Sequence, residues 1–215
     1  MGLEKQVSYI TTNTYLTLNS HSENTRNVWL VFHGMGYLSR YFINYFSHLN
    51  SKENFIVAPQ APSKYYQGKN FKHVGASWLT KENTKADTKN VLTYIDAVFE
   101  AEKLSTSPNL IVLGYSQGVS IATRWLATRK IECKHLVLHS GGIPLELKKE
   151  DFSFMQKNTK VTYLYGNKDQ YITEARKTEE ILKGSQLFGK HLEIEVFTGA
   201  HEVNKDFIFR LSEES

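Results

Sequence analysis

The chain of 215 residues carries a single cysteine, Cys133. A lone thiol excludes an internal disulfide framework and any metal site built from several cysteines. Long apolar runs are missing too. The longest aliphatic–aromatic stretch, Val28 to Phe32, has five residues, where a membrane span takes about 20. The N-terminal MGLEKQVSYITTN holds no apolar stretch of secretory-signal length. Gln6 stands where a myristoylation pattern needs Ser or Thr. Strong charge of one sign is also absent. Lys and Arg number 26 against 22 Asp and Glu, a formal net charge of +4, and the lysines are scattered among acids rather than gathered in the stripe of a nucleic-acid binder. These absences predict a soluble, cytoplasmic protein without nucleic-acid partners or stable membrane insertion. A homodimer is compatible with them.

What is present is globular. Hydrophobic residues make up 40% and charged residues 22%, which excludes a disordered chain. A chain of this length buries about 70% of its unfolded surface and needs no covalent staples. No Pro/Gly-rich linker divides it, so a single domain over residues 1–215 is expected.

Short apolar runs alternate with helical periodicity. VWLVF (28–32), FIVA (55–58), LIVL (110–113), HLVL (135–138), VTYLY (161–165) and LEIEVF (192–197) read as strands. The inner ones are apolar almost throughout, as in parallel strands covered on both faces, whereas LEIEVF alternates and suits a position nearer an edge. Val7–Leu18 alternates loosely and reads as one or two edge strands. Between Asp87 and Lys103, the residues Val91, Leu92, Ile95, Val98 and Phe99 share one helical face. Gln117–Thr128, Thr173–Leu182 and Lys205–Leu211 are further helices. Repeated strand–helix–strand units predict an α/β fold: one mostly parallel sheet with helices on both faces. The connection Pro59–Lys85 spans 27 residues without clear periodicity, longer than a neutral loop. It carries Tyr65, Tyr66, Phe71, His73 and Trp78, and is expected to pack over the carboxyl edge of the sheet, where open α/β sheets bind ligands.

Gly114-Tyr115-Ser116-Gln117-Gly118 matches G-x-S-x-G. The string follows LIVL directly and opens an amphipathic helix, the strand–turn–helix setting in which a serine hydroxyl is lifted above a sheet. A helix N-cap would also explain a serine here, so weight falls on the partners. In chain order these should be an acid and then a histidine, each in a loop after a strand. VTYLY runs into Gly166-Asn167-Lys168-Asp169, and LEIEVF into Thr198-Gly199-Ala200-His201. His201 is the candidate general base and Asp169 the residue that orients it. Asp151 and Asp206 are weaker candidates, since neither follows a clear strand. Two inward amides are needed for an oxyanion. The residue after the nucleophile, Gln117, offers one. The loop His33-Gly34-Met35-Gly36 after the first buried strand offers the other, at Met35. His33, His139 and His73 read as structural or rim residues.

These segments resemble the serine α/β-hydrolases, and within them the small carboxylesterase/phospholipase group that includes acyl-protein thioesterases. HGMG (33–36) resembles that group's oxyanion loop, APQAP (58–62) its proline-containing strand end, and GYSQGV (114–119) its G-F-S-Q-G-G. YGNKDQYI (165–172) and GAHEV (199–203) resemble the segments with the acid and the base. The resemblance implies an α/β-hydrolase fold with little or no cap, Ser116, Asp169 and His201 as catalytic residues, and Met35 and Gln117 at the oxyanion hole. The chain departs from the group at Val119, at Trp78-Leu79-Thr80 and at Tyr165; the second departure alters the expected pocket rim.

The expected reaction is acyl transfer through a serine ester on a small-molecule ester substrate. No H-E-x-x-H, G-x-G-x-x-G or Walker-type loop is present, so no cofactor and no metal is expected. The gap from His139 to Val161 holds about 20 residues, too few for a large lid. An accessible site for short to medium acyl esters follows. Thioesterase, lysophospholipase and peptidase chemistry use the same triad and remain open, as does a non-catalytic binding protein on the same fold.

Overall fold

The computed structural model describes residues 2–106 and 109–214. Its strands are β1 (Tyr15–Leu18), β2 (Asn27–Phe32), β3 (Asn54–Pro59), β4 (Ser63–Gln67), β5 (His73–Ser77), β6 (Leu110–Tyr115), β7 (His135–His139), β8 (Lys160–Gly166) and β9 (Leu192–Phe197). Seven form one sheet in the order β1-β3-β2-β6-β7-β8-β9. All neighbours are parallel except β1, which runs antiparallel to β3. LEIEVF occupies the outer position its alternation predicts. The helices are α1 (Ser39–Phe42), α2 (Thr84–Ala101), α3 (Gln117–Arg129), α4 (Glu174–Phe188) and α5 (Lys205–Glu214). None among the described residues is long and apolar enough to cross a membrane.

The period of two in β2 divides the interior. Val28, Leu30 and Phe32 face one layer, with Val91, Leu92 and Ile95 of α2, Ile121 and Trp125 of α3 and Leu187 of α4. Trp29 and Val31 face the other, with Phe42 of α1 and Phe207, Ile208 and Leu211 of α5. β2 therefore needs an apolar residue at almost every position. The five residues expected on one face of α2 are all buried. α4 outruns its predicted end at Leu182 because Leu187 and Phe188 pack into the first layer.

Two expectations need correction. The first strand covers Tyr15–Leu18 and not Val7–Leu18. Tyr15 pairs with Pro59, the last residue of β3, so earlier residues have no ladder to join; Val7, Tyr9 and Ile10 stand exposed. The 59–85 connection is not aperiodic, since β4 and β5 pair as an antiparallel hairpin, Gln67 opposite His73. Four of the five β4 residues are exposed, leaving no apolar alternation to see. The turn between the strands is closed by Gly68 and Phe71, both at positive φ. Between β7 and β8 the only helical piece is a 3-10 turn, Lys149–Phe152.

Candidate active site

Ser116 sits between β6 and α3 with φ 53° and ψ −118°, a conformation an L-residue holds only where its surroundings force it. Two features do so. The Ser116 amide donates to the His139 carbonyl at 2.8 Å, across to β7. Gly118 lies so close under β2 that an added Cβ would strike the Phe32 carbonyl, which accounts for the second glycine of the motif. The serine side chain is only partly buried.

The loops after β8 and β9 converge on it. His201 Nε2 lies 3.1 Å from Ser116 Oγ, and His201 Nδ1 lies 2.7 Å from Asp169 Oδ2. The aspartate side chain is fully buried, while that of His201 is 14% exposed. The Tyr171 amide donates to the other carboxylate oxygen at 2.8 Å, and its ring stands edge-on to the imidazole at 4.7 Å. The loops are joined backbone to backbone: Asn167 N to Phe197 O and Lys168 N to Gly199 O, both 2.9 Å. Gly166 permits this approach, because a Cβ there would strike the Gly199 and Ala200 carbonyls. The Tyr115 hydroxyl donates to the His201 carbonyl at 3.0 Å. An imidazole held between a carboxylate and a hydroxyl in this way can take a proton from the hydroxyl and keep the resulting charge paired.

The 33–36 loop flanks the serine, since a Cβ on Gly34 would lie 3.0 Å from Ser116 Cβ. Gln117 is the first residue of α3, so its amide has no acceptor within the helix and lies at the positive end of the helix dipole. Met35 precedes Gly36, whose amide donates to Ala76 O of β5 at 2.8 Å. Side chains hold this half together. Gln117 Nε2 donates to Leu79 O at 2.7 Å, and Gln117 Oε1 accepts from Trp78 N at 2.8 Å. The Trp78 indole donates to His33 O at 2.8 Å, and Gln67 Nε2 donates to Gly36 O at 2.9 Å. Trp78 is buried rather than on the rim, whereas Tyr66 and Phe71 are exposed.

The other histidines take structural positions. His33 is buried and its Nε2 accepts from Ala61 N at 3.1 Å; burial pushes its pKa down to about 4. His139 is buried behind the site, its Nε2 accepting from Asn204 N at 2.9 Å, and burial pushes it down to about 3. Both accept through Nε2 and so are neutral with the proton on Nδ1. His73 is exposed at the start of β5. Asp151 caps the short 3-10 turn and Asp206 is exposed on the first turn of α5, so neither joins the cluster. Sequence reasoning missed the roles of Tyr171 and Gln67. The Gly68-Lys69-Asn70 turn after the Tyr65-Tyr66 pair was the available signal for the hairpin that carries Gln67.

A mostly parallel sheet with a serine on a strained strand–helix turn at its carboxyl edge defines a serine α/β-hydrolase. Residues 13–213 match the phospholipase/carboxylesterase family, and the chain belongs to it. It is therefore a hydrolase, as the motifs implied. No curated protein matches. Solved structures with the same fold include acyl-protein thioesterase 2 from Zea mays (13% identity, 94% of this chain and 97% of that one, TM-score 0.68). A phospholipase/carboxylesterase from Dyadobacter fermentans is similar at 18% identity, 97% and 98% coverage and TM-score 0.66. The Bacillus cereus carboxylesterase is similar at 16% identity, 94% and 92% coverage and TM-score 0.63.

Proposed function

We propose that the chain is a single-domain serine esterase that cleaves carboxylic esters of short to medium acyl chain through an acyl-enzyme. Ser116 Oγ attacks the carbonyl carbon as its proton passes to His201 Nε2. The oxyanion is held by the amides of Met35 and Gln117. The C–O bond to the alcohol breaks, and His201 returns the proton to the leaving oxygen. Water, deprotonated by His201, then attacks the acyl carbon and releases the acid and free Ser116. Asp169 keeps the Nδ1 proton in place and balances the imidazolium.

The observation that carries this reading is the pair of contacts made by one imidazole, 3.1 Å to Ser116 Oγ and 2.7 Å to Asp169 Oδ2. The small acyl range is supported by the short β7–β8 connection, which leaves the serine accessible. The test is labelling by a fluorophosphonate probe together with hydrolysis of a p-nitrophenyl ester series. Labelling is expected in the parent and absent in Ser116→Ala, and rates should peak at short to medium chains. Labelling that persists without Ser116, or rates that climb steadily into lipid-length chains, would contradict the proposal.

A further inference from the structure

We propose that the cleft beside Met35 binds an anionic group of the substrate, so that the preferred ester carries a carboxylate or a phosphate. This rests on the acyl-transfer reading above and names the substrate class of the same site.

A cavity of about 460 Å³ lies between the α1 segment and the β4–β5 hairpin. Its wall includes Met35 together with Arg40, Lys72 and His73, and no carboxylate lines it. The other arginines are engaged: Arg176 donates to the Tyr171 carbonyl at 3.3 Å, and Arg26, Arg124, Arg129 and Arg210 each meet an acid. Among the described residues Arg40 and Lys72 form no ion pair. The Arg40 guanidinium instead lies over the Tyr41 ring, 5.0 Å from its centre. A guanidinium held over a ring still presents an N–H edge to an acceptor. That edge matches a carboxylate or phosphate, which take two parallel N–H bonds.

The position ties the cleft to the chemistry. Met35 lies one residue from Gly34, which packs on Ser116. The loop that packs on Ser116 is therefore also the loop that lines the cleft. Arg40 and Lys72 are both exposed, so an anionic tail gains their solvent-screened attraction and a neutral tail gains none. The opposite wall is held in place, because Gln67 pins the hairpin to Gly36 O.

Two matched pairs of esters test the proposal and separate the two anions. Monomethyl adipate is compared with methyl hexanoate, and 1-butanoylglycerol 3-phosphate with 1-butanoylglycerol. In at least one pair kcat/KM should favour the anionic ester by roughly tenfold, about 1.4 kcal/mol, carried by KM. The preference should collapse in Arg40→Gln and in Lys72→Gln. It should also shrink as ionic strength rises from ~0.01 M to ~1 M, which shortens screening from ~30 to ~3 Å. Ratios near one in both pairs, or a preference that survives both substitutions, overturn it.

Binding of adipate and of glycerol 3-phosphate to Ser116→Ala, followed by calorimetry, decides the cleft without turnover. Binding of either that weakens when Arg40→Gln is added supports it, and binding of neither overturns it. Fluorophosphonate labelling with no anion preference would leave the acyl-transfer reading standing and remove this one. Absence of labelling would remove the former on its own.

Discussion

The two halves of the site are built differently. On the His201 side, neighbouring carboxyl-end loops are stitched by main-chain hydrogen bonds, Asn167 to Phe197 and Lys168 to Gly199, with Gly166 allowing the approach. On the Met35 side a single main-chain bond, Gly36 to Ala76, is supplemented by side chains: Gln117 to residues 78 and 79, Gln67 to Gly36 and the Trp78 indole to His33. Main-chain joints tolerate most side-chain substitutions. Side-chain joints fail with a single one. On the proposed function, substitutions on the His201 side should therefore lose chemistry without losing stability, and those on the Met35 side should lose both together.

The largest effect is expected from Ser116→Ala. It should lower ester kcat/KM by up to ~10⁶ with an unchanged thermal midpoint; a drop of less than tenfold would contradict proton handling on the His201 side. Asp169→Asn should follow at ~10⁴, because the imidazole loses the partner that fixes its tautomer, again with little change in melting.

Next comes acid sensitivity, which both halves share. Burial holds His33 and His135 at about 4 and His139 at about 3, against ~6.5 in an unfolded chain. Below pH ~6.5 the unfolded chain binds more protons than the folded one, so stability falls as pH falls towards ~3 and is full above ~6.5. Urea midpoints should drop across that window by the equivalent of a few kcal/mol, and a flat profile would contradict the buried neutral imidazoles.

Gln117→Ala should cost about 1–3 kcal/mol, since it strands the Trp78 amide while the Leu79 carbonyl keeps only the Ser77 hydroxyl, and it should reduce kcat with KM little changed. The smallest effect, about 1 kcal/mol, is expected of Gln67→Ala, read by urea unfolding with a parallel loss of rate. If Gln67→Ala lowered stability alone, the hairpin would be a scaffold without influence on the oxyanion loop.

The contrast also explains what could be read from the amino acids. The central strands were legible because a strand covered on both faces must be apolar almost everywhere, as β2 is. The places of Ser116, Asp169 and His201 could be named because each lies directly after a strand readable in the sequence, the first two after strands buried throughout their upper part and the third after the alternating outer strand. The hairpin was not legible. β4 is exposed on nearly every residue and is held through Gln67 to a partner 31 residues away, and no periodicity encodes that. Trp78 reads from the sequence equally as loop core or pocket wall, and its indole bonds the His33 carbonyl in the interior. The overlong reading of Val7–Leu18 failed for the reverse reason: the alternation was there, but β3 ends at Pro59 and offers it no further ladder.

The brevity of the span from β7 to β8 bears on kinetics. It folds into nothing larger than the turn at Lys149–Phe152, so no flap has to be pried from the serine at an oil–water boundary. Turnover of an amphiphilic ester should accordingly saturate smoothly through the concentration at which it forms micelles, with no jump at the onset of aggregation.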